Sequence, residues 1–288
     1  MFAKNNHTMK NKIVILGVGY KSNIYFSPSE NIFLSKNAKV NIGAACAKKL
    51  AEGGNDLIII SKTPAKINKV RADLLELFPK RIIDAEGIDI LNSQDVNDFF
   101  CKLSKECNYN YVHSAGLGAG GYRIKDDNPY LALEDIPIDL PTKEFEVVVK
   151  SLLAFVRGFL PFFRNQVKSK VVVINSMSGI RPYPLGFSHS SAKAGLHNAV
   201  RSLTLELNKE NVFFSEVNPG MADTGFYDGE AVIDAVQKIS KEFGYNYDEL
   251  PQMSPYEVAD AVKLCLESKA HILEINLVSE GQFPHCGA

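Results

Sequence analysis

The stretch Val171-Val172-Val173-Ile174-Asn175-Ser176-Met177-Ser178-Gly179, followed after a short loop by His189-Ser190-Ser191-Ala192-Lys193-Ala194-Gly195-Leu196, decides how the chain is read. Val171–Ile174 is a continuous apolar, β-branched run with no polar alternation, which describes a strand buried on both faces. Small polar residues then turn the chain toward a helix over Ser190–Asn208. A strand buried on both faces needs helices on either side of its sheet, so this segment alone points to a layered α/β fold with parallel strands.

The same unit recurs outward in both directions. Ile13–Leu16, Leu57–Ile60 (within Asp56–Ser61), Ile82–Ile83, Tyr111–Val112, Phe213–Val217 and Leu273–Leu277 read as further strands. Ile42–Glu52, Ala65–Leu77, Ser93–Glu106, Thr142–Phe163 and Pro255–Glu267 read as helices. Strand–helix alternation predicts βαβ crossovers and a doubly wound parallel sheet of the Rossmann type. The chain has 288 residues and no internal repeat or Pro/Gly-rich linker, so one domain over 1–288 is expected. Two segments break the alternation: 19–39 after the first strand, and 221–253 after the sixth, the latter read as a substrate loop. Long loops inside compact domains are commonly lids or ligand loops.

Composition excludes some classes of function. With 45% hydrophobic and 23% charged residues and a net charge of −1, the chain reads as a soluble globular protein with no bias toward nucleic acid or an acidic membrane. No apolar run approaches the roughly 20 residues that span a bilayer. The basic N-terminus runs into a β-like segment instead of a signal-peptide core, so a cytoplasmic location is expected. Cys46, Cys101, Cys107, Cys265 and Cys286 are odd in number and scattered, which suits free thiols in a reducing compartment. The six histidines are dispersed, and no metal site is expected.

Several turns at strand ends carry chemistry. The first strand ends at Leu16-Gly17, and the next helix opens Asn41-Ile42-Gly43-Ala44, with about 20 residues inserted between. Glycines at such a join let backbone approach a pyrophosphate, and the helix N-terminus offers it N–H donors. The second strand ends Ser61-Lys62-Thr63, a hydroxyl and a cation where NAD enzymes place a carboxylate, and these suit a ribose 2′-phosphate. Ile88-Asp89-Ile90 follows the third strand, Val112-His113-Ser114-Ala115-Gly116 ends the fourth, and Asn218-Pro219-Gly220-Met221-Ala222-Asp223-Thr224 ends the sixth.

In order and spacing these turns resemble the short-chain dehydrogenase/reductase family. Asn41 stands at the middle glycine of its TGxxxGxG motif, His113 and Ser114 at the asparagines of NNAG, and Pro219, Gly220 and Thr224 in PGxxxT. The resemblance implies a nicotinamide dinucleotide, NADP(H) rather than NAD(H). It would be held by Gly17, Asn41, Ile42, Gly43, Ser61, Lys62, Asp89, Ile90, Ser114, Ala115, Gly116, Lys193, Pro219, Gly220 and Thr224. It also implies a homo-oligomer, dimer or tetramer, built on Glu144–Phe163 and Ser190–Leu207.

In that family a serine hydrogen-bonds the substrate carbonyl, and a tyrosine four residues before a lysine donates the proton. Ser176 and Lys193 match the serine and lysine, and His189 stands at the tyrosine position. Three readings follow. His189 is the acid/base, four residues before Lys193 on one helix face, with an ordinary pKa of roughly 6.5 that a nearby lysine would depress. Alternatively Tyr183, ten residues before Lys193, is the donor, similar to the displaced tyrosine of enoyl reductases. In the third, the site is impaired and the protein is a nucleotide-binding or scaffold protein. The family's fourth-helix asparagine maps to Val148, with Lys150 or Ser151 nearby. Phe226, Tyr227, Phe243, Tyr245 and Tyr247, and Tyr25, Phe26 and Phe33 in the insertion, either cover a substrate or bury their own segments. The implied activity is hydride transfer to or from a small-molecule carbonyl/alcohol or an activated double bond.

Overall fold

A computed structural model describes residues 10–20, 40–117 and 130–282. Its strands are β1 (Lys10–Leu16), β2 (Asp56–Ser61), β3 (Ile83–Gly87), β4 (Cys107–His113), β5 (Ser169–Ile174), β6 (Val212–Pro219) and β7 (Glu274–Leu277). They form one sheet in the order β3-β2-β1-β4-β5-β6-β7, every neighbouring pair parallel. Parallel neighbours cannot be joined by a tight hairpin, so the chain crosses over through α1 (Ile42–Glu52), α2 (Pro64–Leu77), α3 (Ser93–Lys102), α4 (Leu140–Phe145), α5 (Ser151–Phe163), α6 (Phe187–Leu207), α7 (Glu230–Glu242) and α8 (Pro255–Glu267). The strand order reverses between β1 and β4, the switch point where open α/β sheets leave a crevice beyond their strand ends. The fold is the single-domain, doubly wound parallel α/β sheet expected from the sequence.

Alternate residues of one strand feed opposite cores. Ile13, Ile15, Leu57, Ile59, Val172 and Val217 pack with α1, α2 and α8. Val14, Leu16, Ile58, Ile60, Val171, Val173 and Phe214 pack with α3, α5 and α6. The second core is centred on aromatic rings: Phe159 lies 4.9 Å from Phe100, 5.2 Å from Tyr111 and 5.1 Å from Phe163, centroid to centroid.

Some boundaries differ from the sequence reading. β3 is an edge strand with only Ile83 fully buried, so it lacks a long apolar run and extends past Ile82–Ile83 to Gly87. The helix expected over Thr142–Phe163 is broken by a π turn at Glu146–Lys150, and the one over Ser93–Glu106 ends at Lys102. α6 begins at Phe187, placing His189 inside its first turn. The segment 221–253, read as a loop, contains α7, in which Val232, Val236 and Ile239 recur at helical spacing and are buried. Polar residues dominate the rest of that helix and mask the period.

Phe159→Ala is expected to lower the free energy of unfolding by about 3–5 kcal/mol, because the surrounding rings cannot collapse into the space. A urea titration checks this through a lower midpoint at an unchanged slope.

Candidate active site

At the first strand end, backbone approaches backbone. Gly17 has φ +86°, and a Cβ there would lie 2.3 Å from the Ser114 carbonyl oxygen. A Cβ on Gly43 would lie 2.5 Å from the Gly17 carbonyl oxygen, so α1 can begin this close only with glycine. Asn41 caps α1. Its Oδ1 accepts from the Ala44 N–H at 2.9 Å and the Gly19 N–H at 3.0 Å, and its Nδ2 donates to the Gly17 carbonyl at 2.7 Å. Tyr20 and Val40 form an antiparallel bridge. The glycine turn therefore closes across the insertion, whose Tyr25, Phe26 and Phe33 lie outside the described residues. Ile42 and Gly43 supply the first backbone amides of the helix, a donor set suited to a dinucleotide phosphate.

The other strand ends line the same edge of the sheet. Lys62 Nζ lies 2.7 Å from Asp89 Oδ2, and this hydrogen bond holds the Asp89 carboxyl below its usual range. Lys62 and Asp89, read as separate cofactor contacts, are thus partners here. The Ser61 carbonyl accepts from the Ile88 N–H at 2.9 Å, and Ile90 packs half-buried against the aromatic core. The Ser114 N–H donates to the Leu16 carbonyl, Ala115 is buried, and Gly116 faces open space. Pro219 ends β6, the Gly220 N–H donates to the Leu277 carbonyl at 2.7 Å, and the Thr224 N–H to the Ala222 carbonyl at 2.8 Å. Gln282, which the sequence did not flag, accepts from the Met221 N–H at 3.0 Å and fills the space above Gly220.

α6 presents His189, Lys193 and His197 at four-residue intervals, a stripe on one helix face. Each histidine is bonded to a buried carboxylate: His189 Nδ1 to Glu144 Oε1 at 2.7 Å, and His197 Nδ1 to Glu216 Oε2 at 2.6 Å. Lys193, only 6% exposed, directs Nζ toward the Ile174 and Asn175 carbonyl oxygens at 3.5 and 3.4 Å. Burial pushes its pKa down to about 8, while the charges of Glu144 and Glu216 oppose the fall. Ser176 Oγ accepts from the Ser178 N–H at 3.2 Å and the Ser178 hydroxyl at 2.8 Å. Ser176, His189 and Tyr183 line a common cavity of about 50 Å³ with Tyr130, Met221, Phe226 and Tyr227. Burial, together with Tyr227 and Glu144, pushes the Tyr183 phenol well above its ordinary pKa, which makes it a poor acid. Phe226 and Tyr227 thus border the cavity, Tyr245 and Tyr247 pack against the cluster around α7, and Phe243 is exposed.

Residues 38–232 match the family described as short chain dehydrogenase. The chain belongs to the short-chain dehydrogenase family. It is 24% identical over 84% of its length to an uncharacterised oxidoreductase of Staphylococcus epidermidis, covering 94% of that protein. It is 28% identical over 84% of its length to a 3-oxoacyl-[acyl-carrier-protein] reductase of Aquifex aeolicus, covering 93% of it. Among solved structures, the fold is similar to an alcohol dehydrogenase of Thermococcus sibiricus complexed with 5-hydroxy-NADP, at TM-score 0.70 and 21% identity, covering 96% of this chain and 99% of that one. It is also similar to an NADPH-bound short chain oxidoreductase of Pseudomonas aeruginosa with an atypical catalytic center, at TM-score 0.71 and 20% identity, covering 93% and 95%. Among the described residues no helix is long and apolar enough to cross a membrane.

Within this short-chain dehydrogenase, the asparagine positions of the resemblance are occupied by a different arrangement. His113 in β4 is fully buried. A carbonyl can only accept, so His113 Nε2–H donates to the Val148 carbonyl at 3.1 Å, and Nδ1 accepts from the Tyr111 hydroxyl at 2.8 Å. Burial and the nearby Lys193 charge push the His113 pKa down to about 3, so the ring is neutral. Val148 sits in the π turn with its side chain in the core. Lys150 pairs with Glu146 at the surface, and the Ser151 hydroxyl donates to the Val147 carbonyl. Sequence reasoning missed Glu144, Glu216 and His197. A charged residue inside the apolar run Phe213–Val217 was the available signal for Glu216.

The unfolded chain protonates His113 near the ordinary value of about 6.5, whereas the folded chain does so only near 3, so this residue makes stability fall as pH drops between those limits. His113→Asn is expected to lose less thermal stability than the parent chain on going from about pH 7 to about pH 4.5, within this histidine window. Thermal melts at the two pH values check it.

Proposed function

We propose that this chain is an NADP(H)-dependent oxidoreductase that interconverts a small carbonyl compound and its alcohol, with His189 handling the proton. The observation that carries this reading is the 2.7 Å bond from His189 Nδ1 to the buried Glu144, on a ring that shares a cavity with Ser176. Glu144 fixes the proton on Nδ1, so exchange with substrate falls to Nε2. In the reducing direction Ser176 donates a hydrogen bond to the substrate carbonyl oxygen. The imidazolium Nε2–H gives its proton to that oxygen as the alkoxide develops, and Glu144 stabilises the charged ring. In the oxidising direction the neutral ring takes the alcohol proton. Lys193 adds a buried positive charge next to the Asn175 carbonyl and would hold the ribose of the dinucleotide when it is bound.

The strand-end glycines, Asn41 and the α1 amides suit the dinucleotide, which supplies or accepts the hydride when bound. Ser61 and Lys62, with no carboxylate ending β2, support NADP(H) over NAD(H). The exposed Phe145, Leu153 and Leu205 support assembly through the α4–α6 region into a homo-oligomer, and Cys46, Cys101, Cys107 and Cys265, which form no disulfide among the described residues, suit the cytoplasm.

Turnover of NADPH and NADH over a panel of carbonyl and enoyl compounds tests the assignment. His189→Ala is expected to lower kcat by about 10²-fold or more, the usual scale for a general acid/base. Glu144→Gln should lower it by a smaller factor, and Tyr183→Phe should stay near the parent rate. Loss in Tyr183→Phe with activity kept in His189→Ala would assign the proton to Tyr183. NADPH binding with no turnover of any compound would leave the nucleotide-binding, scaffold reading.

Lys62→Glu is expected to weaken NADPH binding about tenfold or more relative to NADH, because it sets a carboxylate against the 2′-phosphate. Fluorescence titration with each cofactor reads this ratio.

A further inference from the structure

Behind Lys193, away from the cavity, lies a second carboxylate–histidine pair that the proposed chemistry does not use. Glu216 is 2% exposed, in a strand whose neighbours Phe214 and Val217 are core residues. Burying a carboxylate there is costly, and an apolar residue would serve the fold as well or better. Both Glu216 oxygens are engaged: Oε2 accepts from His197 Nδ1 at 2.6 Å, and Oε1 accepts from Asn175 Nδ2 at 2.5 Å. The same Asn175 amide donates to the Lys193 backbone carbonyl at 3.1 Å. One side chain at the end of β5 therefore ties Glu216 of β6 to the turn of α6 that bears Lys193.

We propose that Glu216, held by His197 and Asn175, is a positioning residue for Lys193, fixing its helix turn and providing a fixed negative charge behind its ammonium. The groups that act on that ammonium are Glu144 from α4, Glu216 from β6 and His113 from β4, and His189 and His197 stand one helical turn to either side of Lys193 on α6 itself. Beyond Glu216, Glu274 of β7 lies 3.8 Å from Arg201 of α6. Of the two carboxylates that favour the charged lysine, Glu144 also serves His189, whereas Glu216 is not among the residues that line the cavity. The charge of Glu216 opposes the desolvation that depresses the Lys193 pKa. Removing it lets the lysine lose its proton at lower pH.

The consequence for turnover rests on the proposed oxidoreductase reading, but the positioning itself does not, so the test reads the lysine directly. Protein labelled with 13C at the lysine Cε is titrated by NMR between about pH 6 and pH 11, a range spanning the ordinary lysine value, with Lys193→Met identifying the resonance. The Lys193 inflection is expected near pH 8 in the parent chain. In Glu216→Gln it should fall by about one pH unit, the lower end of what a neighbouring charge does. His197→Asn, whose side-chain amide replaces the Nδ1 donor, should keep the inflection near the parent position. If Glu216→Gln does not fold, His197→Phe reads the same loss of support and should shift the inflection in the same direction. An unmoved inflection in folded Glu216→Gln, or in His197→Phe where Glu216→Gln does not fold, even with a lower melting temperature, would overturn the proposal. No turnover in the parent chain with a shifted inflection would instead overturn the oxidoreductase reading alone.

Discussion

A buried lysine ammonium that feels the charge of two buried carboxylates is expensive unless each carboxylate is itself hydrogen-bonded, and meeting that condition orders much of the sheet's C-terminal edge. Lys193 lies on α6, Glu144 arrives on α4, and Glu216 arrives on β6. Each carboxylate takes a histidine one helical turn from the lysine, so three elements are brought into register by one stripe of side chains. The π turn at Glu146–Lys150 makes the α4 side possible. In an unbroken α-helix Glu144 and Phe155, eleven residues apart, would share a face. The π turn adds a residue and rotates them apart, so α4 packs on α6 while α5 packs on β4. The Val148 carbonyl in this turn accepts from His113, which spreads the arrangement to the strand beside the switch point.

The glycine turn meets a different constraint. Where the family motif has a glycine, Asn41 satisfies the loop on both sides of the insertion and caps α1 in the same step. Its side-chain carbonyl takes the third amide of the helix, and the earlier amides of Ile42 and Gly43 come at the end where the helix dipole favours an anion. The absence of the middle glycine is therefore compatible with the same backbone path, because side-chain hydrogen bonds hold what the motif holds through a bare Cα.

The parts of this structure legible in the sequence are those fixed by local pattern. Val171–Ile174 and Leu57–Ile60 reveal parallel strands because both faces are apolar, and the turns after them fall in fixed order along the chain. β3 was legible only at Ile82–Ile83, since an edge strand carries no continuous apolar signature, and α7 was hidden by a narrow apolar stripe within a polar, turn-rich segment. His189 and Lys193 were found because their segment resembles the family's catalytic helix. Their carboxylates were not, because Glu144 precedes His189 by 45 positions and Glu216 follows His197 by 19. No helical or strand period links such pairs. Only packing brings them together.

The bridge between Tyr20 and Val40 separates the economy of the insertion from that of the domain. The chain leaves and returns through two paired neighbours, with the Asn41 amide bonded to the Gly19 carbonyl at 3.2 Å just beneath them. For a segment tethered this way, the entropy of closing the loop grows only with the logarithm of its length. This position is thus a natural port for foreign sequence. A reporter peptide or a recognition loop spliced between Tyr20 and Val40 would enter beyond the C-terminal end of β1, its length reaching β1 and α1 only through that logarithm.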